Sequence, residues 1–301
     1  MSKSTKILIG VLVILAAIYF IQRLTSRTST MVQTHPFSKI DTANVSEFTI
    51  RNGRDIVLDR ERGEWVVTSP VRCRADRGEV GMLLTGIASN PEASAVTDNL
   101  QDTTAYGIGS DSPSLTIRTG DGKEINLAIG NVTPDFGGCY IRFPGDDQIL
   151  ELSRNMRSIV GENLTGWRDK KIFDFDASDV KSMKIAVGDT NYNFERGDTV
   201  WLVNGSVVPM VTGEGIVQSL TGTYAIDFID SAESAGNSSI TYSLTLSDGI
   251  VNAGKIFKVA EQVCLTNSAT GQIYVVSSVV PDNLRSELRS LRTTYLARER
   301  S

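Results

Sequence analysis

The chain has 301 residues, with a hydrophobic fraction of 41% and a charged fraction of 22%, which excludes a disordered or collagen-like protein. With 30 lysines and arginines against 35 aspartates and glutamates, the formal net charge is −5, which argues against a nucleic-acid partner. The length predicts one or two domains, each able to bury a core without disulfide bonds or a structural metal.

The first predicted element is a transmembrane helix, because residues 7–22 carry no charge and lie between Lys6 and Arg23. Such a helix is about 24 Å long, so the flanking charges would extend toward the headgroups of a bilayer whose core is about 30 Å thick. A cleaved secretory signal is the alternative, although no small-residue cleavage site follows. The predicted membrane anchor comprises residues 1–23, with Ile7, Leu12, Leu15 and Phe20 in the lipid bilayer.

Residues 24–43 are rich in serine and threonine and lack apolar periodicity, so they predict a linker. Because the tail before the anchor is very short, we expect it to stay in the cytoplasm while the rest of the chain crosses the membrane. The sequence therefore predicts a single-pass protein of the inner (cytoplasmic) membrane. Most of the chain would lie in the periplasm or outside the cell.

From about residue 44, short alternating segments predict β-strands separated by turns that contain glycine and aspartate. The candidate strands are residues 48–50, 56–58, 65–68, 115–118, 125–129, 140–143 and 149–152. Asp121-Gly122 favours a tight hairpin turn between two of these strands. One helix is predicted at residues 76–89, where apolar residues from Val80 to Ile87 recur on one helix face.

The same order of signals returns about 135 residues later, which is typical of an internal repeat. The matched pairs are Val45 with Val180, Trp65 with Trp201, Val80 with Ile216, Leu115 with Leu244, Asp121 with Asp248 and Ile149 with Ile273. The predicted fold class is α+β: an N-terminal transmembrane helix followed by two tandem β-meander-plus-helix repeats. The first repeat covers residues 44–165 and the second covers residues 166–301.

Trp65 and Trp201 occupy equivalent positions, each just before the loop that leads to a predicted helix. Large aromatic side chains in such strands are most simply explained as core anchors. The alternative interpretation is that the two tryptophans stack against a saccharide ligand.

The C-terminal segment from Asp282 predicts an amphipathic helix with Leu284 and Leu288 on its apolar face. Around this face lie the candidate contacts to a partner or to lipid, which are Arg285, Arg289 and Arg292. Such a helix either covers the second sheet with a solvated basic side or contacts an anionic lipid or an acidic partner.

Side chains suited to catalysis or metal binding are scarce. The only histidine, His35, has no cysteine or acidic cluster beside it, and the wide spacing of Cys73, Cys139 and Cys264 favours buried thiols with at most one pair. No phosphate-binding loop or nucleophile elbow occurs in the sequence. We therefore predict no catalytic residue, cofactor or metal site, and a protein that is not an enzyme. A hydrolase would need two carboxylates facing each other in a pocket.

Several motifs resemble one bacterial family. They are Gly-Glu-Trp-Val-Val-Thr-Ser-Pro at residues 63–70, Ala-Asp at 75–76, Tyr-Gly-Ile at 106–108 and Trp-Arg-Asp-Lys-Lys-Ile-Phe at 167–173. With these motifs the chain resembles the family named domain of unknown function 4340, whose members are often single-pass envelope proteins. The resemblance covers most of residues 45–300, and the second half departs most from the pattern, since Pro70 and the Tyr-Gly-Ile motif have no clear counterparts there.

Families of this kind are similar to parts of ABC-type export and gliding-motility systems, in which a membrane-anchored extracytoplasmic protein accompanies a permease and an ATPase. The resemblance implies a non-enzymatic accessory or scaffold protein of an ABC-type transport or gliding-related envelope complex. Its partner would be a membrane permease with its ATPase, or another envelope protein. The motifs are structural, so no catalytic residue is carried over. The alternative function is a saccharide- or lipid-binding envelope module.

Overall fold

A computed structural model describes residues 33–97, 103–230 and 238–296. They form two compact units. The first contains the residues up to Pro70 and Gly78–Asn163, and the second contains Val71–Arg77 and the residues from Leu164 onward. Both units combine antiparallel sheet with a few helices, which confirms the α+β class. The inclusion of Val71–Arg77 in the second unit differs from the predicted boundaries at 44–165 and 166–301.

The first half of the chain contains strands β1 to β10 and two helices. The strands are Gln33–Thr34, Val45–Arg51, Asp55–Glu61, Glu64–Ser69, Cys73–Arg74, Ala93–Thr97, Ser114–Thr119, Glu124–Val132, Cys139–Arg142 and Ile149–Leu152. Helix α1 is Arg77–Ala88 and helix α2 is Arg157–Val160. Strand β5 belongs to the second unit, and the other strands follow one another in the order β1-β6-β10-β9-β8-β7-β2-β3-β4. Each strand predicted between residues 48 and 152, and the helix predicted at residues 76–89, overlaps one of these elements.

The linker predicted at residues 24–43 is wrong for its C-terminal part. Strand β1 pairs with β6 in the first sheet, and the side chain of Phe37 is only 1% exposed. The burial of this aromatic ring fixes a segment that lacks apolar periodicity. The predicted anchor, residues 1–23, lies outside the described residues. Across the three described ranges, no helix is long and apolar enough to cross a membrane.

The second unit contains helix α3 (Leu164–Trp167), strands β11 to β19 and two longer helices. The strands are Val180–Val187, Thr190–Arg196, Val200–Val203, Ser206–Pro209, Asp227–Ile229, Ser238–Leu246, Val251–Val259, Gln262–Thr266 and Ile273–Val276. Helix α4 is Met210–Thr221, and helix α5 is Val280–Leu291, followed by a short π-helical turn at Arg292–Leu296. Their sheet has the order β14-β13-β12-β11-β16-β17-β18-β19-β15.

The two sheets share one strand order. Eight consecutive strands of the first sheet have eight counterparts in the second, and every neighbouring pair is antiparallel. The order is β4-β3-β2-β7-β8-β9-β10-β6 in the first unit and β13-β12-β11-β16-β17-β18-β19-β15 in the second. The register shifts at the same place in both, between Val45 and Glu47 in β2 and between Val180 and Ser182 in β11. A register shift of this kind is a β-bulge, and a bulge at equivalent positions of two sheets indicates a structural feature that both share. The two halves of the chain therefore build the same frame.

Helix α5 packs against the core of the second unit through its leucines. Leu284, Leu288 and Leu291 are each 1% exposed and belong to one core cluster with Trp201 and Ile216. The helix begins at Val280, two residues before the segment predicted from Asp282, because Pro281 is favoured in the first turn of a helix. The Glu287 carboxylate accepts a hydrogen bond of 2.7 Å from the Ser219 hydroxyl of α4.

The packing of Trp201 generates a prediction about two glycines of α4. A methyl group added at Gly213 would overlap the Trp201 ring, whereas one added at Gly215 would meet open space. We expect Gly213→Ala to destabilise the protein by about 1–3 kcal/mol, since overpacking outweighs the gain in helix propensity. Gly215→Ala should stabilise it by about 0.5–1 kcal/mol.

Urea unfolding followed by tryptophan fluorescence measures both variants. They share one helix and one substitution, so Gly215→Ala is the matched control. Equal effects of the two substitutions would contradict the close packing of Trp201 against α4.

Candidate functional site

The three arginines predicted as partner contacts line one groove in the second unit. Arg285 and Arg289 lie on α5 and Arg292 begins the π-helical turn. Together with Thr190 and Tyr192 they surround a volume of about 430 Å³. Their spacing of four and three residues places them along one side of the helix. The fold therefore brings all three predicted residues together.

The charge of this groove is only partly neutralised. Arg285 forms a 2.9 Å ion pair with Asp282, whose side chain is 77% exposed. Exposed pairs of this kind are weak. Arg289 and Arg292 are exposed, and neither guanidinium pairs with a carboxylate among the described residues. The groove is a positively charged surface on a chain whose net charge is negative.

Trp65 and Trp201, for which the sequence favours a role as core anchors and leaves saccharide stacking as the alternative, lie in the hydrophobic interior or at its edge. Trp201 has no exposed surface, and its ring lies 6.3 Å from that of Phe194. The stacking role is therefore wrong for Trp201, because a fully buried ring offers no face to a ligand. Trp65 is half-buried, and Phe48 stacks against its ring at 4.9 Å.

A second group of polar residues surrounds Arg168, within the Trp-Arg-Asp-Lys-Lys-Ile-Phe segment. The Arg168 side chain is 3% exposed, donates hydrogen bonds of 2.7 and 3.0 Å to the two carboxylate oxygens of Asp230, and lies 3.7 Å from the ring centroid of Phe228. The backbone of Arg168 forms an isolated antiparallel β-bridge with that of Ala75. Charge pairing and aromatic stacking offset part of the lost hydration of the Arg168 side chain, while its Nε atom is buried without a hydrogen-bond partner among the described residues. The guanidinium serves as a fixed structural centre.

The residues that follow Arg168 form the rim of a cavity of about 360 Å³. Arg74 forms ion pairs of 3.1 Å with Asp169 and 2.9 Å with Asp174. Lys171 contacts Asp174 at 3.4 Å, and its backbone N–H donates a 2.9 Å hydrogen bond to Asp169. Two cations and two carboxylates therefore alternate along this rim.

The electrostatics of the rim act on Asp174. Partial burial raises the pKa of its carboxyl, but hydrogen bonds and charge from Arg74 and Lys171 outweigh burial and lower the pKa below its ordinary value. Asp174 is thus held ionised by its two cationic neighbours.

The walls of the cavity come from the far end of the chain. They include Asn252 on β17, Asn267 in the loop after β18, and Tyr274 on β19. Sequence analysis missed these residues and Arg74, because each is an isolated polar or aromatic residue with no local motif. The motif at residues 167–173 was the available signal for the rim.

The remaining reactive side chains do not form a cluster. Cys73, Cys139 and Cys264 are free and buried, as expected of apolar thiols, and burial raises the pKa of all three. The ring nitrogen Nδ1 of His35 lies 3.1 Å from the backbone oxygen of Asn90. Within residues 33–97, 103–230 and 238–296, no group of three or more histidines, cysteines and acidic residues is placed to hold a metal ion.

A protein-family model described as "Domain of unknown function (DUF4340)" matches residues 65–238, more than half of the chain. The matched range includes Arg74, Arg168 and the charged rim, and it ends before Asn252. No curated protein and no solved structure matches the chain significantly.

The burial of Arg168 generates a prediction about stability. We expect Arg168→Lys to destabilise the second unit by about 1–3 kcal/mol, because an ammonium group has no planar face to stack on Phe228 and the lysine side chain cannot hold the same position against Asp230. Urea unfolding followed by tryptophan fluorescence reports this change, since Trp167 and Trp201 lie in the second unit.

The matched control is Arg118→Lys, at an arginine that is 46% exposed and paired with Glu47 and Glu124. An exposed pair contributes about 0–1 kcal/mol, so this variant should unfold almost as the unmodified protein does. A loss at Arg168 no greater than at Arg118 would contradict the role of the buried guanidinium.

Proposed function

The chain belongs to the family described as a domain of unknown function (DUF4340), and on that basis we propose a non-enzymatic, membrane-anchored extracytoplasmic accessory or scaffold protein. It serves an ABC-type transport or gliding-related envelope complex. Its partner is a membrane permease with its ATPase, or another envelope protein of that complex. ATP hydrolysis and translocation belong to those partners, because the sequence has no phosphate-binding loop.

The observation that carries this proposal is the arginine groove, formed by Arg285, Arg289 and Arg292 with Thr190 and Tyr192. Arginine binds carboxylates through two parallel hydrogen bonds, so it is favoured where one protein recognises an acidic surface of another. Two of these guanidinium groups have no carboxylate partner among the described residues. The occupant that we propose is an acidic surface of a partner protein.

The packing of α5 favours a protein partner over direct insertion into lipid. A helix that lies in a membrane interface buries its apolar face among the acyl chains. The apolar face of α5 is already occupied, because Leu284, Leu288 and Leu291 are in the core of the second unit. Only the charged side of the helix is available for contact.

The N-terminal segment provides the attachment in this proposal. Residues 1–23, with Ile7, Leu12, Leu15 and Phe20 in the bilayer, hold the protein at the inner membrane. The described units then lie in the periplasm or outside the cell. Tethering two membrane proteins to one surface raises their effective concentration, so a modest charged contact is sufficient for assembly.

The test is crosslinking in intact membranes. A photoreactive amino acid replaces Ser290, an exposed residue between Arg289 and Arg292, in the full chain. Detergent extraction and mass spectrometry then identify the captured molecule. We expect a permease or ATPase subunit, and we expect Arg289→Glu with Arg292→Glu to reduce its recovery about tenfold or more through like-charge repulsion.

The control is Lys181→Glu with Lys184→Glu, which changes the charge equally at two exposed positions of β11. This variant should retain the partner. Recovery of the protein alone at good crosslinking yield, or of phospholipid in place of protein, would overturn the proposal.

A further inference from the structure

The cavity bordered by Arg74 and Asp169 shares no residue with the arginine groove and has a different character. Its rim carries two positive and two negative side chains, which pair with one another at 2.9 to 3.4 Å. A ligand entering the cavity meets almost no net charge. The rim therefore favours an uncharged molecule over an ion.

The interior of the cavity contains a polar group without a partner. Asn252 is 4% exposed and lines the cavity, and its side-chain amide forms no hydrogen bond with any residue that the structure describes. Buried amides are normally hydrogen-bonded to protein groups or to water. Asn252 therefore offers a donor and an acceptor to a molecule in the cavity.

The neighbouring asparagine shows the contrast. Asn267 is 2% exposed, donates a 2.8 Å hydrogen bond to the Ile172 oxygen and accepts one of 2.9 Å from the Ala269 N–H. Both the NH₂ donor and the oxygen acceptor of its side-chain amide are therefore hydrogen-bonded within the fold. Of two asparagines buried to the same degree in one cavity, one supports the loop and the other is available.

The first unit has an apolar residue at the equivalent position. In the second sheet, Leu244 pairs with Met183 and Asn252. In the first sheet, Ile117 pairs with Phe48 and Ile125 at the matching register. Ile125, the counterpart of Asn252, is half-buried. The frame therefore accepts an apolar side chain here, and the asparagine is not needed for folding.

Other groups in the cavity suit a polyhydroxylated ligand. Gln272 is half-buried, and its amide has no partner among the described residues. The Tyr274 hydroxyl donates a 2.9 Å hydrogen bond to the Thr270 hydroxyl, which leaves the tyrosine oxygen free to accept one. Phe175 and Leu246 provide an apolar wall for the C–H face of a sugar ring.

We infer that this cavity binds an uncharged saccharide unit, with the amides of Asn252 and Gln272 hydrogen-bonded to its hydroxyl groups. A sugar hydroxyl can donate one hydrogen bond and accept another. An amide side chain can do the same, so each amide can form two hydrogen bonds with the hydroxyl groups of the sugar. The volume of about 360 Å³ is at the lower end of the range of about 300–1,000 Å³ for ligand sites. It suits a ligand of monosaccharide or disaccharide size.

The experiment is saturation-transfer difference NMR with the full chain in lipid nanodiscs, which avoids sugar-based detergents. The uncharged probes are glucose, galactose and N-acetylglucosamine, and the charged comparators are glucose-6-phosphate and galacturonate. We expect saturation transfer to the ring protons of at least one uncharged sugar. Asn252→Leu should weaken its binding about tenfold, the effect of losing hydrogen bonds worth about 1.4 kcal/mol.

Thermal unfolding separates loss of binding from loss of structure. Asn252→Leu should leave the melting temperature unchanged or raise it, whereas Asn267→Leu should lower it, because only the latter breaks hydrogen bonds of the fold. Gln272→Ala, at a half-buried position, is the second binding variant. The inference is overturned if no uncharged sugar receives saturation, if only the charged sugars do, or if binding persists in both Asn252→Leu and Gln272→Ala.

Discussion

The cavity of the second unit depends on the buried guanidinium of Arg168. Removing one partner of a buried ion pair costs about 3–5 kcal/mol, so a charge that is 3% exposed requires fixed partners. Asp230 provides the countercharge and Phe228 covers the planar face. The backbone beside Arg168 binds strand β5, since the Asp169 N–H donates to the Arg74 oxygen at 2.9 Å. Asp169 is thereby fixed opposite the Arg74 side chain, and the charged rim follows.

The strands and helices could be predicted because each depends on a short, local pattern. In β2 the buried residues Val45, Phe48 and Ile50 face the core, and the same spacing recurs in β11. Alternation of this kind identifies a half-buried strand without reference to the rest of the chain. The repeat then predicts that both halves share one order of elements, and the two sheets have the same strand order. A prediction made in one half was therefore transferable to the other.

The features that sequence analysis missed depend on residues far apart in the chain. Strand β5 has two residues and joins the second unit through partners about ninety residues later, as in the bridge between Ala75 and Arg168. Phe37 is one buried ring in a segment without periodicity. In the sequence, Asn252 is indistinguishable from an ordinary polar strand residue, because only the three-dimensional structure shows the cavity around it. No local pattern marks a side chain whose role is set by long-range packing.

The two units share a frame but differ where the candidate sites lie. The first unit has the four-residue helix α2 after its last strand, where the second has the twelve-residue α5 and the π-helical turn, which together carry the three arginines of the groove. The first has the half-buried Ile125, where the second has Asn252. An asparagine without a protein partner is less favourable for stability than an apolar side chain at such a position. Residues that oppose the stability of a fold are expected at functional sites. The second unit therefore combines the structural frame with two surfaces that the frame alone does not require.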